Sequence, residues 1–154
     1  MIEFLHTTIQ EYLVAEHLVE KIIQSINSND GIEFNDIMLK VLNDTFSGTK
    51  VFGEISNFFT EITSSKDSKL KKEINQEIIK CLPYFIEKDF IHPHFYERNP
   101  VSPLKLSNDT FHGFKLLMDG LGFKTNDIED FELRERFNGY YYLKYVIWIT
   151  VDNT

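Results

Sequence analysis

Apolar residues recur three and four positions apart along most of the chain, the spacing of amphipathic helices. Ile9, Tyr12, Leu13, Val19, Ile22, Ile23 and Ile26 form the first stripe. Ahead of it, Thr7 pairs with Gln10 and Thr8 with Glu11, two overlapping capping boxes that predict a helix start there. Residues 1–5 are short and apolar, and read as the end of a strand. The first helix is predicted to run to residues 25–27, before the polar Ser28, Asn29, Asp30 and Gly31. Phe34, Ile37, Met38, Val41 and Leu42 predict a second helix, and residues 43–49, with Gly48, a connection. Val51, Phe52, Ile55, Phe58, Phe59 and Ile62 predict a third. After the polar linker 64–68, a longer stripe carries Leu70, Ile74, Ile78, Cys81, Leu82, Phe85 and Ile86. Pro83 falls inside it, and the hydrogen bond it removes predicts a kink or break at residues 79–82, or a new short helix opened by the proline.

The pattern then changes. Residues 91–107 contain Pro93, Pro100 and Pro103 and little helical period, which marks an internal boundary or an irregular surface loop. Beyond it, Asn108 or Asp109 is placed to cap a fifth helix through Phe111, Phe114, Leu117, Met118 and Leu121, stopped by Gly120 and Gly122. Asn126 or Asp127 would cap a weaker sixth with Ile128, Phe131 and Leu133. Residues 140–151 are dense in aromatic and β-branched side chains and read as a strand. Leu143, Val146 and Trp148 fit the opening of a leucine-rich repeat; Tyr141 with Leu143, Val146 with Trp148 and Val151 with Asn153 fit a five-residue period instead. The expected fold is mainly α: an antiparallel helical array with a Pro-rich connection and a C-terminal β-strand. It divides into residues 1–90, 91–107 and 108–154, the last readable as the start of a repeat module in which a strand would find its partners.

Composition narrows the function classes. A formal charge of −8 argues against a non-specific grip on nucleic acid, which needs clustered cations, and Lys69, Lys71 and Lys72 sit beside Glu73 and Glu77 as a solvated helix face. Cys81 is the single cysteine, so no intramolecular disulfide forms and a thiolate zinc site lacks its other sulfurs. No apolar run reaches the ~18–20 residues of a membrane span, and no secretory signal opens the chain, so the expected setting is cytoplasmic, away from membranes.

Chemistry-bearing residues are few. His92, Pro93, His94 and Glu97 invite a metal reading, but the proline would hold the stretch extended and turn the two imidazoles to opposite sides, so no metal site is expected. His17, Glu16 and Glu20 form a helix face, and Glu129, Asp130 and Glu132 read as solvated charge without a matching nucleophile. Cys81 should be buried, Tyr12, Leu13 and Ala15 should be core, and the tyrosines at 140–142 should pack in a core or repeat.

Phe4, His6, Thr8, Ile9, Gln10, Glu11, Tyr12 and Ala15 together resemble the signature F-x-H-x-[ST]-[FIL]-Q-E-[FY]-x-[AV]-A. It ends the winged helix of NACHT-type STAND signalling NTPases, the class that includes NOD-like receptors and bacterial antiviral NTPases. The match covers about the first twenty residues, and the helices after it are similar to that family's helical domain in type and order. The resemblance implies that His6 reaches the phosphates of a bound ADP and holds a closed state. The chain departs from the family in having no G-x-x-x-x-G-K-[ST] phosphate loop, so it is expected neither to bind and hydrolyse ATP alone nor to be an enzyme by itself. It is then either a piece of a longer protein or a degenerate stand-alone relative. The implied function is regulatory, in innate immunity or antiphage defence: coupling ADP/ATP state to sensing and oligomerisation. The implied partners are a preceding nucleotide-binding domain, a C-terminal sensor or repeat module, and further copies of the chain. The alternative is a HEAT-like protein–protein interaction scaffold with no nucleotide link; a third reading is a hydrolase whose site the sequence does not display.

Overall fold

The computed structural model describes residues 2–27, 31–46, 52–94 and 102–152. They form α1 (Ile2–Ile26), α2 (Gly31–Phe46), α3 (Phe52–Ser64), α4 (Ser68–Glu87), α5 (Pro103–Gly120), a 3-10 turn (Thr125–Asp127) and α6 (Phe131–Asp152). The fold is mainly helical, with no strand among the described residues. Ser28, Asn29, Asp30, Gly48, Glu97, Pro100 and Asn153 lie outside them, as do the side chains of His6, Thr7 and Trp148.

The stripes find one another across a shared core. Ala15, Leu18, Val19 and Ile22 of α1 bury with Ile55 and Phe59 of α3 and Ile74 and Ile78 of α4. α5 packs on α2, α3 and α6, and its buried residues run unbroken from Leu106 to Phe111 and then continue on one face through Gly113, Phe114, Leu117 and Met118. That central place explains why Ser107, Asn108, Asp109 and Thr110, four polar residues in a row, are all buried. α5 and α2 approach closely where Gly113 faces the fully buried Phe46: a Cβ on Gly113 would lie 2.3 Å from the ring.

Several element ends differ from the sequence-based expectations. α1 already runs from Ile2, so residues 2–5 are helical rather than a strand end, and Thr7 and Thr8 lie inside the helix instead of capping it. Nothing among Ile2, Glu3, Phe4 and Leu5 breaks a helix, so a capping signal downstream has no power to start one there. Tyr12 and Leu13 are exposed, not core; only Ala15 of the three is buried. Residues 43–46 belong to α2 rather than a connection, because Phe46 is needed in the core. α4 continues through Pro83 to Glu87, with Phe85 buried beyond the proline: packing outweighs the lost hydrogen bond. Its N-cap is Asp67, from the polar linker, accepting from the Leu70 amide at 2.7 Å. α5 starts earlier than predicted, with Ser102 as N-cap and Pro103 in the first turn, where a missing N–H costs nothing. Asn108 and Asp109 are therefore mid-helix, not caps.

The predicted C-terminal strand is a helix. Leu133, Phe137, Tyr140 and Lys144 recur at helical spacing and face α4 and α5, so one stripe buries aromatic and aliphatic groups together with a lysine stem. A lone strand would leave its backbone groups unpaired, whereas a helix satisfies its own. Asp130, not Asn126 or Asp127, caps it by accepting from the Leu133 amide at 3.1 Å, and Ile128 is buried ahead of it.

Gly113→Ala should test the α2–α5 contact. The added methyl meets a buried ring that has no room to retreat, so a net loss of about 1–3 kcal/mol is expected despite alanine's better helix propensity. Urea unfolding followed by circular dichroism measures it.

Candidate functional site at the end of helix α4

The polar chemistry of the molecule gathers where α4 ends. Lys88 closes the helix, and Asp89 and Phe90 follow at φ +52° and +56°. The Asp89 amide donates to Ile86 O at 3.1 Å and the Phe90 amide to Phe85 O at 2.9 Å. This is the Schellman arrangement, with Asp89 in the left-handed position usually given to glycine. Its accompanying apolar contact is present too: the Phe85 and Phe90 rings stand 5.4 Å apart. Phe90 thereby enters the core and packs on Phe111, Phe114 and Tyr140 at 5.3, 5.3 and 5.7 Å.

Asn43, wholly buried on α2, holds this turn from the far side. Its amide nitrogen donates to Phe90 O and to the Thr110 hydroxyl, both at 2.8 Å, and its oxygen accepts from the His92 amide at 2.8 Å. Both donors and the oxygen are thus used, which removes the penalty for burying an amide.

On one flank lie Asp36, Tyr84, His92 and His94. The Tyr84 hydroxyl donates to Asp36 Oδ1 at 2.8 Å. His92 Nδ1 accepts from the His94 amide at 3.1 Å, so the ring proton sits on Nε2. Nε2 stands 2.9 Å from Asp36 Oδ1, close to it but without the geometry of a well-formed hydrogen bond. His92 and Tyr84 hold the Asp36 carboxyl below its ordinary value. Burial, with Asp36 beside it, pushes the Tyr84 phenol up to about 12. The two imidazoles do not point to opposite sides as expected: the chain turns after His92, and the rings lie 5.4 Å apart. Among the described residues no group of three or more His, Cys, Asp or Glu is arranged to hold a metal ion.

On the other flank Asp89 receives two donors from α6. Tyr140 donates its hydroxyl to Asp89 Oδ1, and the Lys144 ammonium sits 2.9 Å from the same oxygen while also donating to the Ser107 hydroxyl. Lys144 is only 5% exposed. Burial, then Asp89, pushes the Tyr140 phenol far above its usual range.

No known protein family, curated protein or solved structure matches the chain. What the clusters can do is therefore read from their geometry. A serine beside a lysine suggests base-assisted nucleophilic attack, but that needs a neutral amine accepting from the hydroxyl. Here the lysine donates to the serine and is paired with Asp89. His92 likewise has one nitrogen engaged by a backbone amide and the other turned to Asp36. Both clusters act as ionic and hydrogen-bonded clamps between helices.

The remaining residues singled out in the sequence are dispersed. His6 lies in the first turns of α1. Glu11, on the same helix, has its carboxyl raised by burial and by the negative charge of Glu54 on α3. Cys81 is buried, and burial pushes its thiol up to about 12, which leaves it unreactive. Asp89, Lys144 and Asn43 were missed by pattern reading because each is a single polar residue whose partner lies 37 or more residues away.

Asp89→Ala should leave Lys144 buried without its counter-ion and cost about 2–4 kcal/mol, below a fully buried pair because the carboxylate itself is partly solvated. Asp89→Gly should cost about 1 kcal/mol less, since glycine adopts the left-handed backbone freely. Guanidinium unfolding midpoints of the two variants test this order. Asp36 supplies a pH test. Its folded pKa is depressed, so its contribution is full above the ordinary carboxylate range and is lost as pH falls through the folded value. The stability gap between the parent chain and Asp36→Asn should therefore shrink from roughly pH 5 to pH 3; a gap constant over that window contradicts the assignment.

Proposed function

We propose that the chain is the helical regulatory portion of a NACHT-type signalling NTPase in the cytoplasm, coupling nucleotide state to sensing and oligomerisation in innate immunity or antiphage defence. The observation that carries this reading is the surface of α1 within the signature stretch. Ile9 and Leu13 are 57% and 54% exposed and Tyr12 40%, an apolar ridge on one helix face. Such a ridge suits a covering neighbour, and the resemblance supplies one: a preceding winged-helix and nucleotide-binding domain. The same helix buries Ala15, Leu18, Val19 and Ile22 against α3 and α4, so a displacement at its His6 end is carried into the array as a rigid body. In this reading His6 contacts the ADP phosphates only when the NTPase domain is present. ADP and ATP are cofactors of the parent protein, and the chain itself performs no catalysis.

The scaffold alternative draws on α6, whose Tyr142, Leu143, Tyr145 and Val146 are exposed. The packing order disfavours it: α5 sits centrally against α2, α3 and α6, whereas a HEAT-like solenoid stacks helix pairs in succession.

His6→Ala in the longer protein is the test. Loss of co-purifying ADP, read by nucleotide extraction and chromatography, is the expected result; retention equal to the parent protein rejects the role given to His6.

A further inference from the structure

The face of α5 carrying Asn108, Phe111 and Lys115 forms a groove with Tyr141, Lys144 and Tyr145 of α6, enclosing about 170 Å³. That volume is close to the ~150 Å³ cavity known to hold a single benzene ring. Its walls suit a ring. Phe111 and Tyr141 meet edge to face at 5.9 Å, and Tyr145 stands one turn further along α6. Its two ends are polar and unlike. At one end Asn108, 4% exposed, has a side-chain oxygen with no hydrogen-bond partner. An unmet buried acceptor is costly, and Asn108 lines the groove, where a ligand donor would satisfy it. At the other end the Lys115 ammonium lies over the Tyr141 ring at 5.2 Å and 2.8 Å from Asp119, whose carboxylate is mostly in solvent and readily exchanged for another anion. Asn108 and Lys115 are seven residues apart, roughly 10 Å along the helix, about the span of a para-substituted ring with a hydrogen bond at each end.

We propose that the α5–α6 groove binds a single-ring aromatic carboxylate bearing a hydroxyl or amino donor opposite the carboxylate. The carboxylate takes the Lys115 ammonium, the ring lies against Phe111, Tyr141 and Tyr145, and the donor meets Asn108 Oδ1. The site is independent of the nucleotide-linked reading of α1, and bound ligand would brace α6 against the central helix.

Amide chemical-shift titration of the full chain with 4-hydroxybenzoate tests it, with benzoate and 4-hydroxybenzylamine as comparisons. Saturable shifts confined to α5 and α6 are expected. Benzoate should bind about fivefold more weakly for want of the donor, and 4-hydroxybenzylamine should not saturate. Lys115→Met should weaken 4-hydroxybenzoate binding about tenfold, and Asn108→Leu should abolish its preference over benzoate. Should Asn108→Leu not fold, Tyr145→Ala, at an exposed position, reads the ring contact through a severalfold loss. Absence of saturable shifts in the groove, equal binding of the amine, or unchanged affinity in Lys115→Met overturns the proposal.

Discussion

The turn that closes α4 is the constraint on which the arrangement of the other helices depends. Two successive left-handed residues, neither of them glycine, cost backbone energy, and that cost is offset from three directions. Phe90 gains a place among four aromatic rings. Asn43 ties the turn's backbone to α2 and to α5. Asp89 receives the tyrosine and lysine that hold α6 down. If the turn were rebuilt with a right-handed backbone, Phe90 would leave the core and Asp89 would leave α6, so the cost and its compensations are inseparable.

The middle of the molecule and its two ends handle apolar surface differently. In the middle, α5 buries Leu106 to Phe111 without a break, and the four polar residues Ser107 to Thr110 are buried with them. At the outer edges, Ile9, Tyr12 and Leu13 of α1 and Tyr142, Leu143, Tyr145 and Val146 of α6 stay in contact with solvent. The polar groups serve internal clamps, and these apolar ridges stay exposed. The proposed NTPase partner lies on the α1 side, and the ligand groove opens at α6.

A comparison of α4 and α5 shows where pattern reading succeeds. Both end in the same hydrogen-bonded turn: Phe123 donates to Met118 O and Gly122 to Asp119 O, with Gly122 at φ +70°, just as Phe90 and Asp89 do after α4. The stop at Gly122 was legible because glycine advertises the left-handed position. The stop at Asp89 was not, because an aspartate there is selected by Tyr140 and Lys144, 51 and 55 residues later in the chain. The Pro-rich stretch misled in the opposite direction. Pro103 reads as a breaker in isolation and opens a helix once Ser102 caps it.

The helical class, the core face of α4, the burial of Cys81 and the absence of a phosphate loop were decided by the sequence alone, since local period and residue type are enough for them; in α2 the same period held for Met38 and Leu42 but left Ile37 exposed. Tertiary structure decided the rest. It turned an aromatic, β-branched tail into α6, because no strand among the described residues is there to pair with it and a stripe containing Lys144 was available to bury. It carried α4 through Pro83, because Phe85 and Phe90 were worth more in the core than one hydrogen bond. It joined Asn43, Asp89 and Lys144 into clamps, because a buried polar residue is stable only beside partners that local sequence does not contain.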